Sequence, residues 1–570
     1  MNTIITSKAR CRDCYKCIRH CPVKAIGLND GQAWVDKEKC ILCGRCIGDC
    51  PQKAKSMASQ LPRVESFLAD QRPIVFSLAP SYLAATSYST PWKMVAALKK
   101  LPDARIEETA LGAELIGREY HRMVAEGQRA TVISSCCPVV VNLIEKYFPK
   151  LVPALAGLVS PLKAHGQMIK REQGEEARVV FIGPCLAKKA EPDWNDPANP
   201  VDAVLTFEEL EPWLQAKEIF PEALLDQHPD RGSASAGVFP LKQGILKVAG
   251  LEDGLEQDIL SIAGVDECLD TFRDLEAGLL APRFIEALAC KGGCIGGPAL
   301  GNDLGVNARR QRLFHFAQGK AGGGRQTDLS YDLLRREHAA LQQTGYIPAE
   351  AEIREVLRLT GKNKPEDETN CGGCGYSSCR EKAIAVLQGM AEPEMCIPYM
   401  KEKAESFANA IVDTTLNAII VVNKDLIIQD MNPAADLLFN RKQLPTKGRP
   451  LSAFIDPSDF AKVWATGDIL VDQTRSYKQY GLVTRQIIYP LPKYGVTIGI
   501  ITNITAEEGR KAKHDNMRRE ALERASRVIR DQMRVVQNVA GLLGESTAET
   551  KATLLELMEI MDESESEVPE

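Results

Sequence analysis

At 570 residues the chain is too long for one hydrophobic core, and about four domains are expected. A formal charge of −6 with no basic tract gives no footing for nucleic acid, and no apolar run is long enough to span a bilayer. The first residues, Met1-Asn-Thr-Ile-Ile, show no charged start followed by an apolar core and no twin arginine, so a soluble cytoplasmic protein is expected. Eighteen cysteines in a reducing compartment point to metal ligands rather than disulfides. They fall into three regions, with Cys268 left over and expected to be a buried structural thiol.

Residues 1–57 hold Cys11-x-x-Cys14-x-x-Cys17-x-x-x-Cys21-Pro22, repeated as Cys40-x-x-Cys43-x-x-Cys46-x-x-x-Cys50-Pro51. The repeat resembles the bacterial two-cluster ferredoxin, in which the fourth cysteine of each run crosses to the other cluster. That resemblance implies one [4Fe-4S] cluster on Cys11, Cys14, Cys17 and Cys50, and another on Cys40, Cys43, Cys46 and Cys21. A zinc ribbon is the alternative. The ferredoxin reading makes this segment an electron wire.

Residues 65–350 are expected to form an α/β core. Pro73-Ile-Val-Phe-Ser-Leu-Ala-Pro80, Ala130-Thr-Val-Ile-Ser-Ser135 and Arg178-Val-Val-Phe-Ile-Gly183 read as buried parallel strands, with helical stretches such as Pro91–Lys100 between them. The second strand delivers Cys136 and Cys137, and the third Cys185. The C-terminal ends of parallel strands are where an open α/β sheet places its site. Further along, Cys290-Lys-Gly-Gly-Cys294-Ile-Gly-Gly-Pro298 makes a tight turn that aims two sulfurs at one point. Alone it reads as a redox pair or half a zinc site as readily as it does as anything more specific.

Taken in order, Ser134-Ser-Cys136-Cys137-Pro138, Ile182-Gly-Pro-Cys185-Leu-Ala-Lys188-Lys-Ala-Glu191 and Ala287-Leu-Ala-Cys290 through Pro298 resemble the three signature motifs of the [FeFe]-hydrogenase family. The resemblance implies a cubane on Cys137, Cys185, Cys290 and Cys294, with Cys294 bridging to a di-iron unit that carries CO, cyanide and a dithiolate. It makes Cys136 the proton-exchanging thiol, Lys188 a donor to cyanide and Glu191 the family's glutamate three residues on. Ser160-Pro161, followed by Lys163, resembles the segment beside the cofactor, and Arg231–Val238 the small-residue loop against the di-iron unit. Gly183 and Leu288 stand where the family commonly has methionine, and the glycine run after Cys294 is short. The family's acidic proton path, two glutamates on one helix, is matched within Glu107–Glu119 only by Glu119, without a second glutamate to complete it.

After a charged helical stretch (Glu350–Leu359), residues 360–402 carry Cys371-Gly-Gly-Cys374-Gly-Tyr-Ser-Ser-Cys379 and Cys396-Ile-Pro. This resembles a four-cysteine [4Fe-4S] module of corrinoid iron–sulfur proteins; zinc is the alternative. Residues 403–508 lack cysteine and histidine. Asn417 to Phe439 reads strand, turn, strand and a helix opened by Asn432-Pro433, with later strands at Thr484–Pro490 and Gly495–Asn503; the segment resembles a PAS domain. Without an axial histidine or adduct thiol it is expected to hold no cofactor. Residues 509–562 follow as helix, with an apolar seam of Leu522, Ala525, Ile529, Met533, Val536, Ala540 and Leu543 that predicts a homodimer. Gly544 and Ser546 break it before a second helix, 548–561, and the acidic end is expected to be disordered.

The fold class expected is therefore multidomain α/β and α+β: a two-cluster ferredoxin domain, an α/β hydrogenase core, a small Fe–S module, a PAS domain and C-terminal helices. The resemblances together imply an iron-only hydrogenase of the sensory branch, of low turnover, acting on H2 and protons. They also imply a ferredoxin-like redox partner, hydrogenase maturation proteins and a downstream signalling protein. Two other readings stand beside it. One is a redox hydrogenase whose PAS domain only dimerises, and the other a non-enzymatic iron–sulfur carrier or assembly protein without the di-iron unit.

Overall fold

The computed structural model describes residues 4–70, 72–85, 88–127, 129–192, 199–252, 258–317, 329–341, 346–543 and 552–553. The second C-terminal helix, apart from 552–553, and the acidic end lie outside these residues. The chain forms two compact units, residues 1–400 and 401–570.

In the first unit the ferredoxin repeat folds as two antiparallel ribbons, Ile4–Thr6 with Lys55–Met57 and Ile26–Asn29 with Gln32–Val35. Each CxxCxxC run leads into a short helix, Lys16–His20 or Arg45–Gly48. Both helices start after a residue in the left-handed region at the same place in the repeat: Tyr15 (φ 55°) and Gly44 (φ 73°). A left-handed residue there turns the chain sharply between cysteines two and three of each run.

The core is built on two parallel sheets rather than one. The first has the order Ala104–Glu108, Ile74–Leu78, Arg178–Gly183, Ala203–Thr206. The second has the order Ile259–Ala263, Phe284–Leu288, Val132–Ile133. Every residue of Ile74–Leu78 and Phe284–Leu288 is buried, as expected for strands covered on both faces. Helix Pro138–Tyr147 starts with proline in its first turn directly after Cys137, and Pro161–Gln173 likewise after Ser160. The expected helix near 91–100 runs Trp92–Leu98.

The four-cysteine module rests on helices Glu350–Leu359 and Cys379–Leu387, joined by Ile353, Val356, Leu357 and Ala383. Its Tyr376, Met390 and Met395 share a core with Ile18, Cys21 and Cys46 of the ferredoxin segment.

In the second unit, five antiparallel strands take the order Ile428–Met431, Ala418–Asn423, Val496–Asn503, Leu482–Leu491, Leu470–Tyr477. The last of these had no counterpart in the sequence reading. Asn432 caps helix Pro433–Phe439 by accepting from the Ala435 N–H at 3.0 Å. Phe460 lies over Gly499, where a Cβ would come within 2.3 Å of its ring. Helix Thr505–Leu543 is continuous. Along its expected seam Leu522, Ile529 and Met533 are half-buried, while Ala525 and Val536 are exposed. Among the described residues no helix is long and apolar enough to cross a membrane.

Candidate metal centre

Thirteen of the eighteen cysteines line three separate cavities, all in the first unit. The largest, about 90 Å³, is lined by Cys136, Cys137, Cys185, Cys290 and Cys294, with Lys188, Ser81, Thr109, Phe181, Phe239 and Leu288 among its other walls. Cys137 follows Val132–Ile133, Cys185 follows Arg178–Gly183, and Cys290 follows Phe284–Leu288. The cavity thus sits where the carboxyl ends of strands from both sheets converge. Tyr120 braces the first loop from behind, its hydroxyl accepting from the Ser135 N–H at 3.0 Å.

The glycines of the third motif hold its turn by packing against neighbouring backbone. A Cβ on Gly293 (φ 92°) would come within 2.2 Å of the Pro240 carbonyl oxygen, and one on Gly297 within 2.8 Å of that of Pro184. The close approach they permit is to neighbouring backbone, which fixes the loop and so aims Cys290 and Cys294.

Burial governs the electrostatics. It pushes the Cys185 thiol up to about 11, with Cys137 adding to the effect. Burial first, then Cys137 and Cys294, carries Cys136 well above the ordinary thiol. Among the described residues Lys188 is the one cation in the cavity wall. Its Nζ donates to Glu191 Oε2 at 2.6 Å and to the Cys136 carbonyl oxygen at 3.4 Å. Burial pulls the ammonium down, but the Glu191 carboxylate outweighs it and raises its pKa. Burial likewise raises Glu191, and Lys188 more than reverses it. An ammonium has three N–H donors, so one is left for a ligand on the cavity side. Ser160 and Glu191 stand behind Lys188 rather than in the wall, and Pro161 is in it.

Ser81 adds a donor that the motifs did not signal. Its Oγ is buried, faces the cavity and has no partner, an arrangement that costs about 1–3 kcal/mol unless something fills it. Five thiols, an ammonium and an unpartnered hydroxyl form a donor set suited to an iron–sulfur group bearing anionic, hydrogen-bond-accepting ligands. The residues therefore fit such a group. Both Ser81 and Thr109 lie just past strand ends, the one positional cue that could have marked them.

Two smaller cavities, about 20 Å³ each, complete the picture. One is lined by Cys11, Cys14, Cys17 and Cys50, so the structure brings Cys50 across to the first run. The other is lined by Cys371, Cys374, Cys379 and Cys396, with Lys362 Nζ 3.3 Å from Cys396 Sγ. Cys43 and Cys46 both sense Cys21 and Cys40 as neighbours. Among the described residues no three His, Cys, Asp or Glu side chains close around a point tightly enough for a single ion.

These groups abut one another. A Cβ on Gly44 would lie 2.6 Å from Leu186 and 2.8 Å from Pro298, side chains beside Cys185 and just beyond Cys294. Lys146 Nζ donates to the Cys40 carbonyl at 2.8 Å, and Arg45 pairs with Asp266 at 2.9 Å. On the other side a Cβ on Gly375 would meet the Arg19 backbone at 3.0 Å, and the Leu28 N–H donates to the Met390 carbonyl at 3.1 Å. Cys268 is fully buried under Leu288, its Sγ 3.7 Å from that carbonyl, and is not in the cavity wall. Glu119 is not in the wall either; it pairs with Arg122 at 2.8 Å on its own helix, and the neighbouring Ile116 is wholly buried.

Fold and donor set define an iron–sulfur protein with a redox core. Residues 72–298 match the family described as iron only hydrogenase large subunit, C-terminal domain, residues 3–51 a 4Fe-4S dicluster domain, and residues 367–398 a putative Fe-S cluster. The chain is thus iron-only-hydrogenase-like, with Fe–S domains on either side of the core. It is 28% identical over 356 residues to the periplasmic [Fe] hydrogenase large subunit of Nitratidesulfovibrio vulgaris, covering 51% of this chain and 84% of that one. To iron hydrogenase 1 of Clostridium pasteurianum it is 24% identical over 303 residues, 43% of this chain but only 53% of that protein. A solved structure of a variant of the [FeFe]-hydrogenase HydA1 from Chlamydomonas reinhardtii matches at 16% identity and TM-score 0.40, covering 50% of this chain and 100% of that one.

Proposed function

We propose that the protein is an [FeFe]-hydrogenase that oxidises H2 or reduces protons in the cytoplasm and reports the outcome through its second unit. The observation that carries this is the cavity in which five cysteines of three separate motifs meet Lys188. Cys137, Cys185, Cys290 and Cys294 would hold a [4Fe-4S] cubane, with a di-iron unit carrying CO, cyanide and dithiolate ligands beside Cys294. When bound, that unit supplies the metal at which H2 is cleaved heterolytically. Around it, Cys136 takes or returns the proton, Lys188 donates to an anionic ligand, and Glu191 keeps Lys188 charged and aimed. Ser81 supplies a second donor, while Pro161, Phe239 and Leu288 exclude water.

The Cys40–Cys43–Cys46–Cys21 set, whose Gly44 touches the core loops, would hold a [4Fe-4S] cluster. So would the Cys11–Cys14–Cys17–Cys50 set and the four-cysteine module, and together these would supply a route for electrons. The antiparallel sheet and flanking helices of the second unit support a PAS domain, and the partly apolar helix Thr505–Leu543 a homodimer that signals to a partner protein.

Infrared spectroscopy on maturated protein tests the centre. Bands of bound CO and cyanide are expected, and Cys136→Ala should keep them while suppressing H2 uptake about a hundredfold or more. Iron–sulfur clusters without those bands would make the chain a carrier or assembly protein instead. Hydrogen–deuterium exchange under H2 and under argon should differ along residues 505–543; identical exchange would remove the sensory role.

A further inference from the structure

Two side-chain hydroxyls stand in the wall of the large cavity, and they lead to different places. Ser81 Oγ leads nowhere. Thr109 Oγ1 lies 2.7 Å from Ser77 Oγ, which lies 2.8 Å from His165 Nδ1. Across the imidazole, Nε2 is 3.3 Å from Glu107 Oε2. Ser77, His165 and Glu107 have no exposed surface, and Thr109 is 4% exposed. These four groups come from three elements: the strand Ile74–Leu78, the end of the strand Ala104–Glu108, and helix Pro161–Gln173.

Beyond Glu107 the chain of polar groups reaches the surface. Its Oε1 accepts from Arg105 Nε at 2.7 Å and from Gln173 Nε2 at 3.3 Å, and Oε2 faces Arg231 at 3.8 Å. The Arg105 side chain is 44% exposed, and Arg231 also pairs with Glu172 on the outside. The other polar way out of the cavity runs from Lys188 to Glu191, which lies beside Ser160 and Arg336, but no well-formed hydrogen bond carries it on from Glu191 Oε1. Glu119 is tied to Arg122 away from the wall.

We propose that Thr109, Ser77, His165 and Glu107 form a proton conduit between the cysteine-lined cavity and the surface at Arg105 and Gln173. The proposal rests on the hydrogenase reading, which requires one proton to enter or leave the cavity for each H2 half. In the outward direction a proton binds Thr109 Oγ1 while the hydroxyl's own proton passes to Ser77 Oγ. Ser77 passes its proton to His165 Nδ1, and the Nε2 proton moves to Glu107, which is itself buried and hands it to a water admitted beside the half-exposed Arg105. One proton enters and one leaves, no electron moves, and the two hydroxyls and the ring protons then reset. Hydroxyl and imidazole each donate and accept, which is what such a relay needs. Burial raises Glu107, but His165, Arg231 and Arg105 overcome it and hold the carboxyl below its ordinary range. That favours release at the outer end.

The test uses the full-length chain in two forms. In maturated protein, Thr109→Val and Ser77→Ala should each lower H2 uptake about tenfold or more and enlarge its solvent isotope effect, with the CO and cyanide bands unchanged. In metal-free protein, nitrogen-15 NMR reads exchange of the His165 ring N–H with deuterated solvent. Glu107→Gln should slow that exchange about tenfold or more, and Thr109→Val should leave it unaltered, placing the solvent entry at the Glu107 end. Wild-type uptake rates in both hydroxyl variants, or exchange indifferent to Glu107→Gln, would overturn the conduit and leave the hydrogenase reading intact. Wild-type protein without CO and cyanide bands would sink the hydrogenase reading instead, and the exchange arm would still decide whether Glu107 gates proton access to His165.

Discussion

The two units of this chain solve the problem of a stable interior in opposite ways. All eighteen cysteines lie in the first unit, before Met400, and most of them line cavities rather than close-packed core. Charged side chains are buried there too, among them Glu107, Lys188 and Glu286. The second unit fills its centre with Ile420, Phe439, Phe460, Val463 and Ile501 and contains no cysteine. Close packing of this kind needs no added group. The difference teaches that the first interior is conditional on what its thiols hold, whereas the second is complete in itself.

The sharpest way to break that contrast is to withhold iron. Calorimetry of the full chain grown without iron should show the first unit's transition lowered strongly or lost, because cluster binding contributes to folding directly. The second unit's transition should stay in place. Equal shifts in both would show that the second unit depends on the first.

A single substitution sharpens the contrast from the other side. Phe460→Ala removes the ring that covers Gly499 and should cost the second unit about 3–5 kcal/mol. Iron content and the first transition should not change. An altered cluster spectrum in that variant would contradict the independence of the two interiors.

A smaller effect is expected at the ion pair. Glu191 has a depressed pKa in the folded chain, so its contribution is present above the ordinary carboxylate range and is lost as pH falls through the folded value. Glu191→Gln leaves the Lys188 ammonium buried without its partner and should cost the first unit about 3 kcal/mol at neutral pH. The gap between wild type and variant should close in acid, as wild-type Glu191 becomes protonated. A gap that holds constant down to low pH would mean that the pair is not the source of the loss.

Much of the cysteine arrangement was legible in the sequence because cysteine spacing is covalent and survives any arrangement of the rest. The crossing of Cys50 to the first run shows this directly. Two of the strands that end at cysteines, Val132–Ile133 and Arg178–Gly183, were legible as well, from short apolar runs, whereas Phe284–Leu288 was not. Their partners were not: Val132–Ile133 and Arg178–Gly183 read alike along the chain, yet they lie in different sheets. Periodicity reports which faces are apolar, and pairing is decided by the whole packing. The polar chain behind the cavity was hidden for a similar reason. Ser77 and His165 are 88 residues apart, and each looks ordinary in its own segment. The glutamates on the helix Ala110–Glu126 drew notice through a resemblance, but the buried Ile116 and the Glu119–Arg122 pair take that face out of the path.

The missing side chain at Gly44 acts as a spacer of zero thickness. With no Cβ, the turn between two thiols of the ferredoxin segment presses directly onto Leu186 and Pro298. In the proposed relay tunnelling weakens steeply with the gap, so part of its rate would be written into one position that binds no metal. A methyl group there would act as a shim against Pro298, widening the junction while every ligand stayed in place. Clearance at this residue would then tune traffic between the core and its wire without touching the chemistry on either side.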